Sequence, residues 1–233
     1  MADTYTEVGV AGTGYLIAAS STTFTLTPTA VGDLIVLVFG GYEASGSPTL
    51  SSVSGGPVAR WNLVGGVASG TGSVGMAWGV ANSTTGGTVT VTMSGATTGA
   101  CQTLQFHSTG TASGRQWSLD TAWATTSISG ATSGNAPSVA PQQTAGELCV
   151  VIVGMDNVST TPSVTAGGFS NVALGTGTAY GIAAFNVAYT GGTISWTNSS
   201  AITGYSATAC FFTAANAPSP TVVGQAVKRA SFR

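Results

Sequence analysis

The segment Val31-Gly32-Asp33-Leu34-Ile35-Val36-Leu37-Val38 returns about 114 residues later as Ala145-Gly146-Glu147-Leu148-Cys149-Val150-Val151-Ile152. Its surroundings return with it. A polar, proline-containing approach precedes each copy, Thr27-Pro28-Thr29-Ala30 and Ala140-Pro141-Gln142-Gln143-Thr144. A Pro/Ser/Val stretch ending in Gly-Gly follows each, at Gly55-Gly56 and at Gly167-Gly168. Then Trp78-Gly79-Val80-Ala81 matches Phe185-Asn186-Val187-Ala188, and Gly86 to Thr92 matches Gly191 to Thr197. The copies close on Thr103-Leu104-Gln105-Phe106 and Ala209-Cys210-Phe211-Phe212. So long a period is no solenoid unit; it describes a duplicated half-fold.

The repeated pieces read as strands. From Thr88 to Met93 the chain alternates, with Val89, Val91 and Met93 on one face and Thr88, Thr90 and Thr92 on the other. Period two with β-branched residues predicts a half-buried antiparallel strand, and Ile194 and Trp196 take the inward role in the second copy. Leu34 to Phe39 and Leu148 to Val153 are unbroken apolar runs of strand length, as in central strands covered on both faces. Gly- and Ser-rich breaks punctuate these runs at the rhythm of a sandwich. The same density of Gly, Ser and Thr disfavours helix. The expectation is an all-β, antiparallel β-sandwich, jelly-roll-like, made of two homologous halves within 1–216 (about 20–107 and 134–213). Residues 107–135 read as a link between the copies, with Trp117 to Asp120 a strand start or packed loop. Ala217-Pro218-Ser219-Pro220 breaks the last strand, and 217–233 reads as an extended basic C-terminal arm.

Composition narrows the function. Only 5% of the 233 residues are charged, with five Lys or Arg against seven Asp or Glu, where an average soluble chain has about 25%. A net charge of −2 without a basic face speaks against nucleic acid as a partner. There is no run of about 18 apolar residues to suggest a membrane span. The N-terminus lacks the basic and apolar regions of a signal peptide, so the expected site of synthesis is a bacterial cytoplasm. Cys101, Cys149 and Cys210 are widely spaced and read as small buried hydrophobes, a disulfide with one free thiol being the alternative.

Chemistry is sparse. The single histidine, His107, lies at the end of the first copy's last strand, opposite Thr213 of the second, and has no G-x-S-x-G elbow to support a triad. Asp33 and Glu147 share one repeat position and read as turn carboxylates holding backbone N–H groups, not as a facing pair. Glu43 and Asp156 read as loop ends at one edge. Gly12-Thr13-Gly14 and Gly175-Thr176-Gly177 read as turns, since no helix follows to complete a phosphate cradle. Trp78, Tyr180, Tyr189 and Tyr205 are the aromatics considered for sugar stacking, though strand position favours the core. No catalytic, cofactor-binding or metal-ligating residues are expected, and no enzyme activity.

Gly32-Asp33-Leu34, Trp78-Gly79-Val80-Ala81, Thr88 to Thr92 and Phe211-Phe212 together resemble a family of duplicated Gly/Thr-rich β-sandwich proteins of bacteriophages and their actinobacterial hosts. The likeness spans roughly residues 20–215. It implies a virion surface protein without catalysis, either a capsid decoration protein on the major capsid protein or a minor tail protein. A fibre-tip protein that binds host carbohydrate is the alternative. The expected partners are other virion proteins and further copies of the chain, a trimer being one arrangement, with a glycan as a further possibility. The arm residues Val222, Val223, Lys228, Arg229, Phe232 and Arg233 are expected to touch the neighbour; that expectation rests on this sequence and not on the resemblance.

Overall fold

Leu34, Val36 and Val38 point to one side of their strand and Ile35, Leu37 and Phe39 to the other, and all six are fully buried. A strand can bury both faces only if a layer lies on each side of it, and this sets the architecture. The computed structural model describes residues 4–42, 48–69, 72–109, 115–120, 124–141, 146–155, 160–175 and 180–215. The strands are β1 (Tyr5–Leu26), β2 (Leu34–Tyr42), β3 (Leu50–Gly55), β4 (Asn62–Ser69), β5 (Gly72–Val80) and β6 (Gly87–Ser108) in the first half. The second half supplies β7 (Arg115–Leu119), β8 (Ala124–Ala136), β9 (Glu147–Met155), β10 (Ser163–Val164), β11 (Ser170–Leu174), β12 (Gly181–Tyr189) and β13 (Ile194–Ala215). No helix occurs among the described residues.

Each half makes its own antiparallel sheet. The first has the order β1-β6-β2-β5-β4 with β3 also on β6; the second runs β10-β13-β9-β12-β11 with β7 and β8 also on β13. The sheets pack face to face as a β-sandwich. Between them lie Leu34, Val36, Val38, Met76 and Phe106 of one half and Leu148, Val150, Ile152, Phe185 and Phe211 of the other. Substituting β13 for β6, β9 for β2, β12 for β5 and β11 for β4 turns the run β6-β2-β5-β4 into β13-β9-β12-β11. Within 107–135, read from sequence as a link, β7 and most of β8 are strands of the second sheet. They hold β13 where β1 holds β6.

The outer layers come from bending the longest strands. β1 and β6 pair from Tyr5↔Ser108 to Leu16↔Gly99, lose register, and pair again from Ser21↔Thr92 to Leu26↔Gly87. Past the break, Phe24, Leu26, Val89, Val91 and Met93 lie against Ile35, Leu37 and Phe39, so the strands fold over their own sheet. β13 does the same, breaking register between Thr197 and Gly204 and laying Ile194 and Trp196 over Cys149, Val151 and Val153. At the two bends stand Ala18 (φ 48°) and Gly130 (φ 59°), both left-handed.

Gly12 and Gly14 belong to this overlay and not to a turn: both lie inside β1. A Cβ on Gly12 would come within 2.6 Å of the Thr25 carbonyl oxygen and 2.8 Å of the Phe24 ring, and one on Gly14 within 2.8 Å of the same ring. The two glycines bring the folded-over layer into contact. The cysteines are free and buried, with Cys149 and Cys210 directly opposite each other across β9 and β13. Burial pushes the Cys149 thiol well above its usual range and Cys101 up to about 12. The arm 217–233, with Val222, Val223, Lys228, Arg229, Phe232 and Arg233, lies outside the described residues, as do Glu43, Asp156 and Thr176-Gly177.

Candidate functional site

Both singled-out carboxylates, Asp33 and Glu147, are buried at the start of a central strand. Among the described residues, Asp33 does not hold backbone N–H groups with its carboxylate. Gln105 Nε2 donates to its Oδ2 at 2.5 Å and His107 Nδ1 to its Oδ1 at 2.7 Å. Gln105, itself buried, also donates to Thr29 Oγ1 at 2.8 Å and accepts from Thr29 N at 3.2 Å. A carboxylate oxygen accepts, so Nδ1 is the donor in this bond, and the ring is half-exposed. This is the orientation that a carboxylate gives a catalytic imidazole, but no hydroxyl or thiol bonds to the ring among the described residues. The network joins the end of β6 to the turn before β2.

The strand register also aligns the two sheets differently from the repeat read in the sequence. Leu34 faces Phe106 while Leu148 faces Phe211, so His107 corresponds to Phe212 and not to Thr213. One residue of slip exchanges the faces of a strand. Gln105 thus stands where the second half has Cys210, and the Asp33 network has no counterpart of the same chemistry around Glu147.

Beside this network the sandwich opens into a cleft of about 340 Å³. Gly32, Ala59, Arg60, Asn62, Trp78 and Val80 line it from the first half, and Gln116 and Trp117 from β7. The indoles are held from behind. Trp117 Nε1 donates to the Gly32 carbonyl at 3.1 Å, and Tyr5 packs on its ring at 5.2 Å between centroids. Trp78 meets the Phe211 ring edge-on at 6.0 Å. Asn62 Nδ2 donates to the Trp78 carbonyl at 3.4 Å. Arg60 and Gln116 are exposed at the rim, and no carboxylate pairs with Arg60 among the described residues. The site therefore offers the partly exposed Trp78 indole backed by the buried Trp117, two amide side chains and a guanidinium.

Of the four aromatics considered for stacking, Trp78 alone is partly exposed at this cleft. Tyr180, Tyr189 and Tyr205 are buried. Tyr180 stacks near Tyr42 with centroids 6.3 Å apart, and burial together with its tyrosine neighbours raises its pKa. Tyr189 donates its hydroxyl to the Gly192 carbonyl at 2.9 Å, and burial raises its pKa to about 12. Sequence reading missed Trp117, Arg60, Asn62 and Gln116 as site residues; no spacing motif joins them. No cluster of three or more metal-ligating side chains occurs among the described residues. No family model, curated protein or solved structure matches this chain.

Proposed function

We propose that the protein is a structural component of a bacteriophage virion, a capsid decoration protein that sits on the major capsid protein. The observation that carries this reading is the edge of the first sheet. β1 is 22 residues long and pairs with β6 alone among the described residues. It exposes Val8, Val10, Tyr15 and Ile17, and Ile17 is 79% accessible. A long strand that no second strand flanks among the described residues, with four large apolar side chains exposed along it, invites another chain. In a virion subunit the neighbour covers it. The rest of the exterior suits the same role, since hydroxyls are cheaper to bury in a permanent contact than unpaired charges. The sequence resemblance points to the same class, and copies of the chain arranged around a local threefold fit it.

The test adds labelled protein to purified virions and separates heads from tails. Heads are expected to carry the label, and V10K/I17K is expected to lower occupancy at least tenfold while thermal unfolding stays unchanged. Label on tails alone would replace the decoration role with that of a minor tail protein. Binding to neither would overturn the virion reading.

A further inference from the structure

We propose that the cleft between Trp78 and Trp117 is a binding site for an acidic sugar residue, a pyranose that carries a carboxylate. The inference does not depend on the virion reading, because it rests on the cleft alone. A pyranose presents an apolar face of C–H groups, an equatorial rim of hydroxyls and, in a uronic acid, one carboxylate. The cleft supplies a partner for each. Trp78, partly exposed, provides flat apolar surface, and the buried Trp117 closes the cleft behind it; Phe211, Tyr5 and the Gly32 carbonyl set both positions before any ligand arrives. Such preorganisation lowers the cost of binding. Asn62 and Gln116 carry amides, which both donate and accept and so suit neighbouring hydroxyls.

The charge selects the acid. The sequence has five Lys or Arg, and Lys228, Arg229 and Arg233 fall beyond the described residues. The remaining two are Arg60, which lines the cleft, and Arg115, which immediately precedes Gln116 in β7. In a chain so poor in charge, one of the five cations, Arg60, stands at this opening. A guanidinium that no carboxylate pairs among the described residues, set at the rim of an aromatic cleft, is complementary to a planar anion that accepts two parallel N–H bonds. The volume of about 340 Å³ lies near the lower end for small-ligand sites and suits a sugar ring with its substituents, not an extended peptide.

The test titrates a glucuronic acid oligosaccharide, and separately its neutral glucose counterpart, into ¹⁵N-labelled protein and follows the indole N–H resonances of Trp78 and Trp117. The acidic ligand is expected to shift both resonances to saturation and to bind about tenfold more tightly than the neutral one, as a charge-assisted contact implies. Arg60→Gln removes this preference, Arg60→Lys keeps part of it, and Gln116→Ala weakens both ligands alike. The substitutions lie at exposed positions, so thermal unfolding serves as the control for folding. Equal binding of both ligands with no effect of Arg60→Gln, or no shift of either indole, overturns the proposal.

Discussion

Ala18 is the only non-glycine residue with positive φ among the described residues, at 48°, and it occupies the bend where the other half has Gly130 at 59°. The left-handed conformation costs a side-chain-bearing residue roughly 1–2 kcal/mol, whereas glycine gives up roughly 0.5–1 kcal/mol of backbone entropy on folding. Ala18→Gly is therefore expected to stabilise the protein by about 0.5–1 kcal/mol, and Gly130→Ala to destabilise it by a similar amount. Urea unfolding midpoints of the two variants check this; shifts of equal sign would show that the bends are not equivalent. A Cβ at 130 meets nothing within 4 Å, so the backbone angle is the sole cause. Neither residue announced itself in the sequence, because Ala18 sits in an Ile-Ala-Ala-Ser run that reads as ordinary strand. The alternation of Val89, Val91 and Met93 was legible by contrast, since one face of the strand alone is apolar. Asp33 was legible as a turn position but not as part of a side-chain network, because its partners Gln105 and His107 lie more than 70 residues away.

Strands explain the glycines that sequence took for turns. Gly12 and Gly14 look like turn residues because a strand gains nothing from glycine in isolation. Their reason is the second layer, where the Phe24 ring and the Thr25 carbonyl occupy the space a Cβ would need. Gly12→Val is expected to cost about 1–3 kcal/mol through this overpacking, part of it against backbone that cannot rotate away. Gly167→Ala, where a Cβ meets nothing within 4 Å, is expected to change stability by less than about 0.5 kcal/mol. Comparing the two by thermal unfolding separates crowding from glycine's own entropy; equal losses would defeat the explanation. The unbroken apolar runs Leu34 to Phe39 and Leu148 to Val153 already required two-sided cover. Only the folded structure identifies that cover as the far ends of β1, β6, β8 and β13.

At the scale of the molecule, the sandwich was legible from repeat and periodicity, and the cleft was not. Arg60 and Trp117 stand far apart in the chain, and only the packing of β7 against the first half brings them together. The same burial that builds the layers sets a pH limit. Cys101 is raised from 9.0 to about 12, and Tyr189 from 10.0 to about 12. Both are neutral when protonated, so the fold holds protons that the unfolded chain releases first. Their contribution is complete below pH 9.0 and is lost as the pH climbs from there towards about 12. The urea midpoint is expected to stay level from neutrality to about pH 8 and then to fall steadily; a midpoint that rises above pH 9.0 would contradict the assignment.

The Tyr5 hydroxyl accepts the amide of Thr213 at 3.1 Å, although 208 positions separate them in the chain. The first described strand and the last thus meet at one corner. A peptide bridge joining Ala215 to Thr4 in place of the segments outside the described strands would close those strands into a ring, and a new opening in an exposed connection would leave every ladder of both sheets intact. What must be preserved is the order of strands within each sheet, while the place where the polypeptide starts is, for this architecture, a free choice.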